Sequence, residues 1–387
     1  MKLQNGILSV DTRQKFDKLN RMKKDFYAIA TLTGTIIGVG FFALPYILSK
    51  VGFWVMLIYF FVLGTLVILV HSFFGEIALK TPDFKRLPGF AKFYLGNWAE
   101  KIAVVSAIFG FYGVLLAYLI IGGQFLTKLL LPTLGGSETI YTIFYFLAGT
   151  IFIFFGIKTI SQIEFFDALL FFAILLFILI FGFPYFKSEN IFVLPQKNSL
   201  FLPYGPILFS LWGAAIIPEV EEMLREERKK LKKIILISIL LCGLFYFLFA
   251  ILVAGICGER TSEDALSGLK NVLGSQILNL FYLFGVFATF TSFISLGLTL
   301  KKTFWYDLKI NKNLALLITL LPPIFLFLLG FREYITIISL VGAITLAIDG
   351  ALILLMYKKL KPKAYFVLPL ILIFIAGIFY QIFYLLK

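Results

Sequence analysis

Residues 34 to 46 read GTIIGVGFFALPY, with Gly34, Gly38 and Gly40 inside seven positions and Pro45 five residues after the last glycine. Glycine lets a backbone leave the helix at little steric cost. An unwound stretch in apolar surroundings frees N–H and C=O groups that cost several kcal/mol each if unpaired. Such a stretch persists where those groups bind something. The N-terminal end of the following half-helix offers N–H groups and a positive dipole end, which suit a carboxylate. The carbonyl end of the preceding half suits a cation. A zwitterionic amino acid meets both demands. The same Gly-x4-Pro spacing recurs at Gly213 and Pro218, within PYGPILFSLWGAAIIPEVEEML, residues 203 to 224.

The elements that hold these residues are membrane helices. The chain has 387 residues, of which 60% are hydrophobic and 14% charged, too few charges for a soluble domain of this size. Apolar runs long enough to span a bilayer fall at 26–50, 53–79, 102–128, 139–157, 161–184, 203–222, 234–257, 275–300, 314–331, 334–356 and 364–386. The basic first 25 residues carry no short apolar core with a cleavage site, so no cleavable signal peptide is expected. With the N-terminus inside, 27 of the 35 Lys and Arg fall on cytoplasmic segments, as the positive-inside rule expects. The +14 net charge then faces anionic lipid, and a nucleic-acid partner is not needed. An odd number of spans leaves the C-terminus outside a cell membrane. Two cysteines, Cys242 and Cys257, suggest neither a disulfide framework nor a zinc site.

Pro45 and Pro218 are 173 residues apart, and the same offset carries the span starts at 102, 139 and 161 to 275, 312 and 334. The chain therefore reads as a basic segment (1–25), a five-helix repeat (26–184), a second repeat (203–356) and an eleventh helix (364–386). Five is odd, so the two repeats lie in opposite orientations, and a binding site is expected where their interrupted first helices meet.

GTIIGVGFFALPY resembles the first helix of the amino acid/polyamine/organocation transporter superfamily, in its tryptophan/tyrosine permease and auxin-permease-like branch. LWGAAIIPEVEEML resembles its sixth helix, and FATFTSFISLGLTLKKTFWYDL, residues 287 to 308, its eighth. The resemblance implies an all-α, leucine-transporter-like fold of eleven helices with helices 1 and 6 broken. It implies symport of a neutral or aromatic amino acid with Na+ or H+ by alternating access. Na+ would be the one bound ion, with no organic cofactor. By motif position its ligands would be the carbonyls of Gly34, Ile37 and Ala288 and the hydroxyls of Thr291 and Ser292. The substrate would lie against Thr35, Gly38, Val39 and Gly40 in helix 1, and Phe209, Ser210, Trp212 and Gly213 in helix 6. Tyr112 and Tyr118 are candidates for the site wall. Some proton-coupled relatives carry a lysine in helix 5 where this chain has Phe171, which leaves the coupling ion open between Na+ and H+.

Asp167 is an intramembrane carboxylate and a candidate proton relay. By resemblance, Asp307 is a candidate cytoplasmic gate with Arg21 or Lys24. Glu219 is the deepest acid of a charged helix end. Glu76 and Asp349 read as interfacial anchors, and His71, the only histidine, as a packed imidazole. A membrane enzyme would want clustered His, Asp or Glu, and the chain supplies none. An amino acid sensor with a transporter fold and a transporter of another small cargo such as a polyamine are the alternatives. The oligomeric state is not legible.

Overall fold

A computed structural model describes residues 24–83, 85–155 and 160–385, with side chains of 160–170, 225, 226, 271, 306, 307, 384 and 385 excluded. Asp167, Asp307 and Arg21 therefore fall outside the described side chains. Among the described residues every regular element is helical. They are α1 (24–36), α2 (Leu44–Lys80), α3 (Leu87–Leu95), α4 (Asn97–Leu134), α5 (Glu138–Phe155), α6 (Ile160–Gly182) and α7 (Tyr204–Leu211). There follow α8 (Ile217–Leu224), α9 (Leu231–Cys257), α10 (Lys270–Lys302), α11 (Lys312–Leu328), α12 (Tyr334–Leu340), α13 (Leu346–Leu360) and α14 (Val367–Leu385).

Six helical stretches are long and apolar enough to cross a membrane, and three shorter apolar helices accompany them. Large apolar side chains point outward, with Phe61 74%, Phe155 80% and Phe379 69% exposed. Water would penalise that surface and lipid accepts it. The chain is a multi-pass membrane protein.

The break expected between spans 26–50 and 53–79 falls at Gly52, where α2 turns with φ 75° and ψ 169°. A Cβ there would stand 2.1 Å from the Val193 carbonyl oxygen, so both conformation and space demand glycine. The basic stretch 80–101, read as a loop, contains the short helix α3, started by Pro88 and closed at Gly96 with φ 95°. Gly96 also starts α4, so α4 begins several residues before the expected 102.

Packing centres on α4. It lies along α10, α5 and α3, while α9 lies along α2 and α7 against the segment that joins α12 to α13. That joining segment, Val341–Thr345, is a π-helical turn. It approaches α7 through glycine on both sides, since a Cβ on Gly342 would sit 2.0 Å from the Gly205 carbonyl oxygen. Basic residues close several helices at one end, Lys80 on α2, Lys301 and Lys302 on α10, Lys358 and Lys359 on α13, where they complement the helix dipole. Glu76 stands among them, 2.7 Å from Lys232 Nζ, 2.6 Å from Lys361 Nζ and 3.6 Å from Lys80 Nζ. It ties α2, α9 and the turn after α13 together.

Candidate functional site

Helix α1 stops at Ile36. Ile37 and Gly38 are not helical, Gly38 is extended at φ −129° and ψ −164°, and a 3₁₀ turn over Val39–Ala43 leads into α2. The glycines allow this, and the phenol of Tyr118 shows why a side chain at 38 would be resisted: a Cβ there would lie 2.4 Å from it. The second interruption follows α7. Trp212 is extended at φ −80° and ψ 122°, Gly213 has φ −136° and ψ 20°, and a 3₁₀ turn over Ala214–Ile216 leads into α8.

The two interruptions touch. A Cβ on Gly40 would fall 2.5 Å from Ser210 Oγ and 2.7 Å from Phe209 Cδ1; one on Gly213 would fall 2.6 Å from Ile36 Cγ1. Segments about 170 residues apart in sequence meet here.

The freed backbone groups are claimed by side chains from four other helices. Val39 N–H donates to the Tyr118 hydroxyl of α4 at 3.1 Å, and Tyr334 of α12 donates to the Val39 carbonyl. Tyr246 of α9 donates to the Ile36 carbonyl at 2.8 Å. Gly213 N–H donates to His71 Nε2 of α2 at 2.9 Å. His71 must therefore be neutral with its proton on Nδ1. Buried backbone groups demand such partners, and three of the residues here, Tyr246, Tyr334 and His71, carried no site assignment in the sequence reading. Their partners lie far along the chain, and no local pattern marks them.

Beside the first interruption lies a small, mostly apolar cavity of about 20 Å³. Its wall combines Ile37, Gly38 and Val39 with Tyr118, Phe41, Phe42, Phe171, Ile174, Gly285, Ala288, Thr289 and Ser292. Phe41 packs 4.4 Å from Phe171, ring centre to ring centre. Of the five expected cation ligands, Ile37, Ala288 and Ser292 share this wall. Thr291 Oγ1 is turned onto its own helix, donating toward the Phe287 and Ala288 carbonyls at 3.0 Å. Gly34 sits in the last turn of α1. Thr289, not singled out in the sequence, is buried on the cavity side.

Of the expected substrate residues, Gly38 and Val39 line the cavity; Gly40, Phe209, Ser210 and Gly213 form the contact between the interruptions. Thr35 remains in α1, its hydroxyl bonded to the Thr31 carbonyl at 2.9 Å. Trp212 turns to the other side, edge-on to His71 at 4.9 Å and facing Phe374. Tyr112 is tied to the Ile318 carbonyl at 2.8 Å, away from the cavity. A wide vestibule opens at the other end of α1, walled by Lys24, Tyr27, Glu219, Glu222, Met223 and Arg228. Glu219 stands there 3.4 Å from Arg86 Nε. Among the described residues no group of three or more His, Cys, Asp and Glu is arranged to hold a metal ion.

The family model of the tryptophan/tyrosine permease family matches residues 21–384. A curated relative, the tyrosine-specific transport system 1 of Haemophilus influenzae, is 28% identical over 326 residues, 78% of this chain and 80% of that protein. The low affinity tryptophan permease of Proteus vulgaris is 27% identical over 309 residues, 73% of this chain and 72% of that protein. Among solved structures, Mhp1, a nucleobase-cation-symport-1 family transporter in a closed conformation with bromovinylhydantoin bound, is similar with a TM-score of 0.66 at 13% identity, over 92% of both chains. MhsT in complex with L-phenylalanine has a TM-score of 0.64 at 15% identity, over 91% of this chain and 98% of that one.

Proposed function

The chain belongs to the tryptophan/tyrosine permease family, a transporter and not an enzyme, and from that premise we propose that it is a cation-coupled symporter of an aromatic amino acid. The observation that carries this is the meeting of the two helix interruptions, Gly40 against Ser210 and Gly213 against Ile36, beside a cavity walled by Phe41, Phe42, Phe171 and Tyr118. Backbone at Gly38–Gly40 suits the carboxylate. The aromatic wall suits an aromatic side chain once the cavity, closed to about 20 Å³ here, has opened. Tyr118 holds Val39 N–H while no carboxylate does, so binding exchanges one oxygen acceptor for another.

The architecture we infer is eleven spans in two inverted repeats, 26–184 and 203–356, with helix 364–386 added. The first helix of each repeat is broken, the N-terminus is cytoplasmic and the C-terminus external at the cell membrane. The vestibule at Lys24, Tyr27 and Glu222 is then the cytoplasmic path, and Arg86–Glu219 a charged pair at its mouth. Substrate and ion bind at the interruptions, and the bundle around α1 and α7 rocks against the scaffold around α4 and α10. A gradient drives accumulation only through different affinities in the two orientations. Na+ and H+ are the candidate ions. For Na+, Ile37, Ala288 and Ser292 offer oxygens to one cavity.

The test is uptake of radiolabelled tyrosine, tryptophan, serine and leucine into proteoliposomes of the purified chain, with Na+ and pH gradients imposed separately. Saturable accumulation of tyrosine or tryptophan, competed by the other and not by serine, is expected. Accumulation of serine alone, or of none of the four under either gradient, contradicts the assignment.

A further inference from the structure

Asp349 has no part in the site just described. It lies within the apolar run Tyr334–Leu360, eleven residues and therefore about 16 Å of helix from its basic end. The expectation of an interfacial anchor does not hold, because the residue is only 9% exposed and its Oδ1 has no hydrogen-bond partner. Among the described residues no Lys, Arg or His is within ion-pair distance of it.

The titratable groups described on the elements packed against α13 have partners of their own or are exposed, apart from the half-buried Tyr59 of α2. On α2, Glu76 holds Lys80, Lys232 and Lys361, and His71 holds Gly213 N–H. On α3, Lys92 pairs with Glu100 of α4, and Tyr94 bonds Thr81. On α4, Tyr112 and Tyr118 are bonded to backbone, and Lys101 is exposed. On α14, Tyr380 stacks on Phe201. The π-helical turn Val341–Thr345 carries no titratable group, and on α13 itself Tyr357, Lys358 and Lys359 lie two turns or more away.

The polar group beside Asp349 is the Ser106 hydroxyl of α4. Its proton is committed: it donates to the Thr345 carbonyl at 2.9 Å. Ser106 therefore offers Asp349 a lone pair, and a lone pair is matched by a carboxylic acid O–H, not by a carboxylate. An unpaired carboxylate buried at membrane depth is costly enough that the group neutralises instead. The widened turn next to it is a second sign, since π-turns inside helices occur often at working sites. One continuous element links this place to the first interruption and to the start of α7. Tyr334, at its start, bonds the Val39 carbonyl; Gly342, in the π-turn, abuts Gly205 of α7.

Resting on the transport reading, we propose that Asp349 carries the coupling proton, held between α13 and Ser106 of α4 while the site is closed and released when water reaches it. One proton binds the carboxylate oxygen from one aqueous compartment and leaves to water in the other, with no other bond made or broken. Closure of α4 on α13 requires the neutral acid. Separation of the two admits water and lets the carboxylate form. Accumulation then follows the proton gradient.

The experiment compares two readouts in proteoliposomes of the full chain: tyrosine exchange with no gradient, and tyrosine accumulation under an inward proton gradient across a pH series. Asp349→Asn keeps the shape and neutrality of the acid. It is expected to exchange tyrosine like the wild type, with gradient-driven accumulation reduced to simple equilibration and the pH dependence flattened. Accumulation by Asp349→Asn equal to wild type, or a wild type driven by Na+ and indifferent to pH, overturns the proposal and leaves the transport reading standing. A wild type that neither exchanges nor accumulates an aromatic amino acid fails the transport reading itself. Should Asp349→Asn lose exchange as well, Asp349→Glu decides. Exchange with a displaced pH midpoint supports the proton role; exchange with the wild-type midpoint, or none, assigns Asp349 to packing and overturns it.

Discussion

Val39 is the most heavily used peptide unit of the site, its N–H given to Tyr118 and its carbonyl bonded by Tyr334. His71 serves the other interruption through Gly213 N–H. Removing that acceptor leaves a buried donor unpaired, which costs about 1–3 kcal/mol. His71→Ala should lower the unfolding temperature of the purified protein and reduce uptake. Unchanged stability and uptake together would show that the histidine only fills space. Ser292→Ala with Thr291→Ala tests the cation oxygens: weakened Na+ dependence is expected if Na+ couples, and an unchanged Na+ response removes Ser292 and Thr291 from that role. At this scale the sequence was informative where a residue is unusual for its setting. Gly34, Gly38, Gly40 and Gly213 are conspicuous in apolar helices. Tyr118 is one of 18 tyrosines, and nothing local distinguishes Tyr334 or Tyr246; His71 stands out as the only histidine, but like them it acts on backbone far away in sequence.

The elements are held in register by small residues and a few polar nodes. The loop between α9 and α10 is fastened to α4 by Asp264, which binds Lys128, Ser262 and Ser267. Burial pushes the Asp264 carboxyl up, but Lys128 and the two serines more than offset that and leave it below the ordinary carboxylate range. A depressed folded-state value means stability present above the unfolded value of about 3.9 and lost as pH falls through the lower, folded one. Acidification below about pH 4 should therefore loosen this loop, read as faster proteolysis at 258–269, while at neutral pH it stays protected. Asp264→Asn should lose most of that pH dependence; an identical pH profile in the variant would contradict the role given to the node. Apolar run length foretold where helices lie. It did not show that α3 forms at all, or that Asp349 is enclosed, since these depend on caps and neighbours, not on hydropathy.

For the whole molecule, the 173-residue offset between Pro45 and Pro218 was visible before any coordinates, and the structure brings those two segments into contact. Composition made the chain a membrane protein, and the family match and the similarity to Mhp1 and MhsT agree with a helical transporter fold. The aromatic cavity was less legible, because Phe41, Phe171 and Thr289 reach it from three separate helices. The central claim is that substrate binds where the interruptions meet. Gly40 is the closest point of that meeting, and the backbone Cα of Ser210 stands only 3.1 Å from where a Cβ would be. The direct measurement is uptake of radiolabelled tyrosine and tryptophan by wild type and Gly40→Val in matched proteoliposomes, with insertion quantified in both. The account predicts saturable uptake by the wild type and its loss in Gly40→Val at equal insertion. Uptake by the variant with wild-type affinity and rate would contradict it.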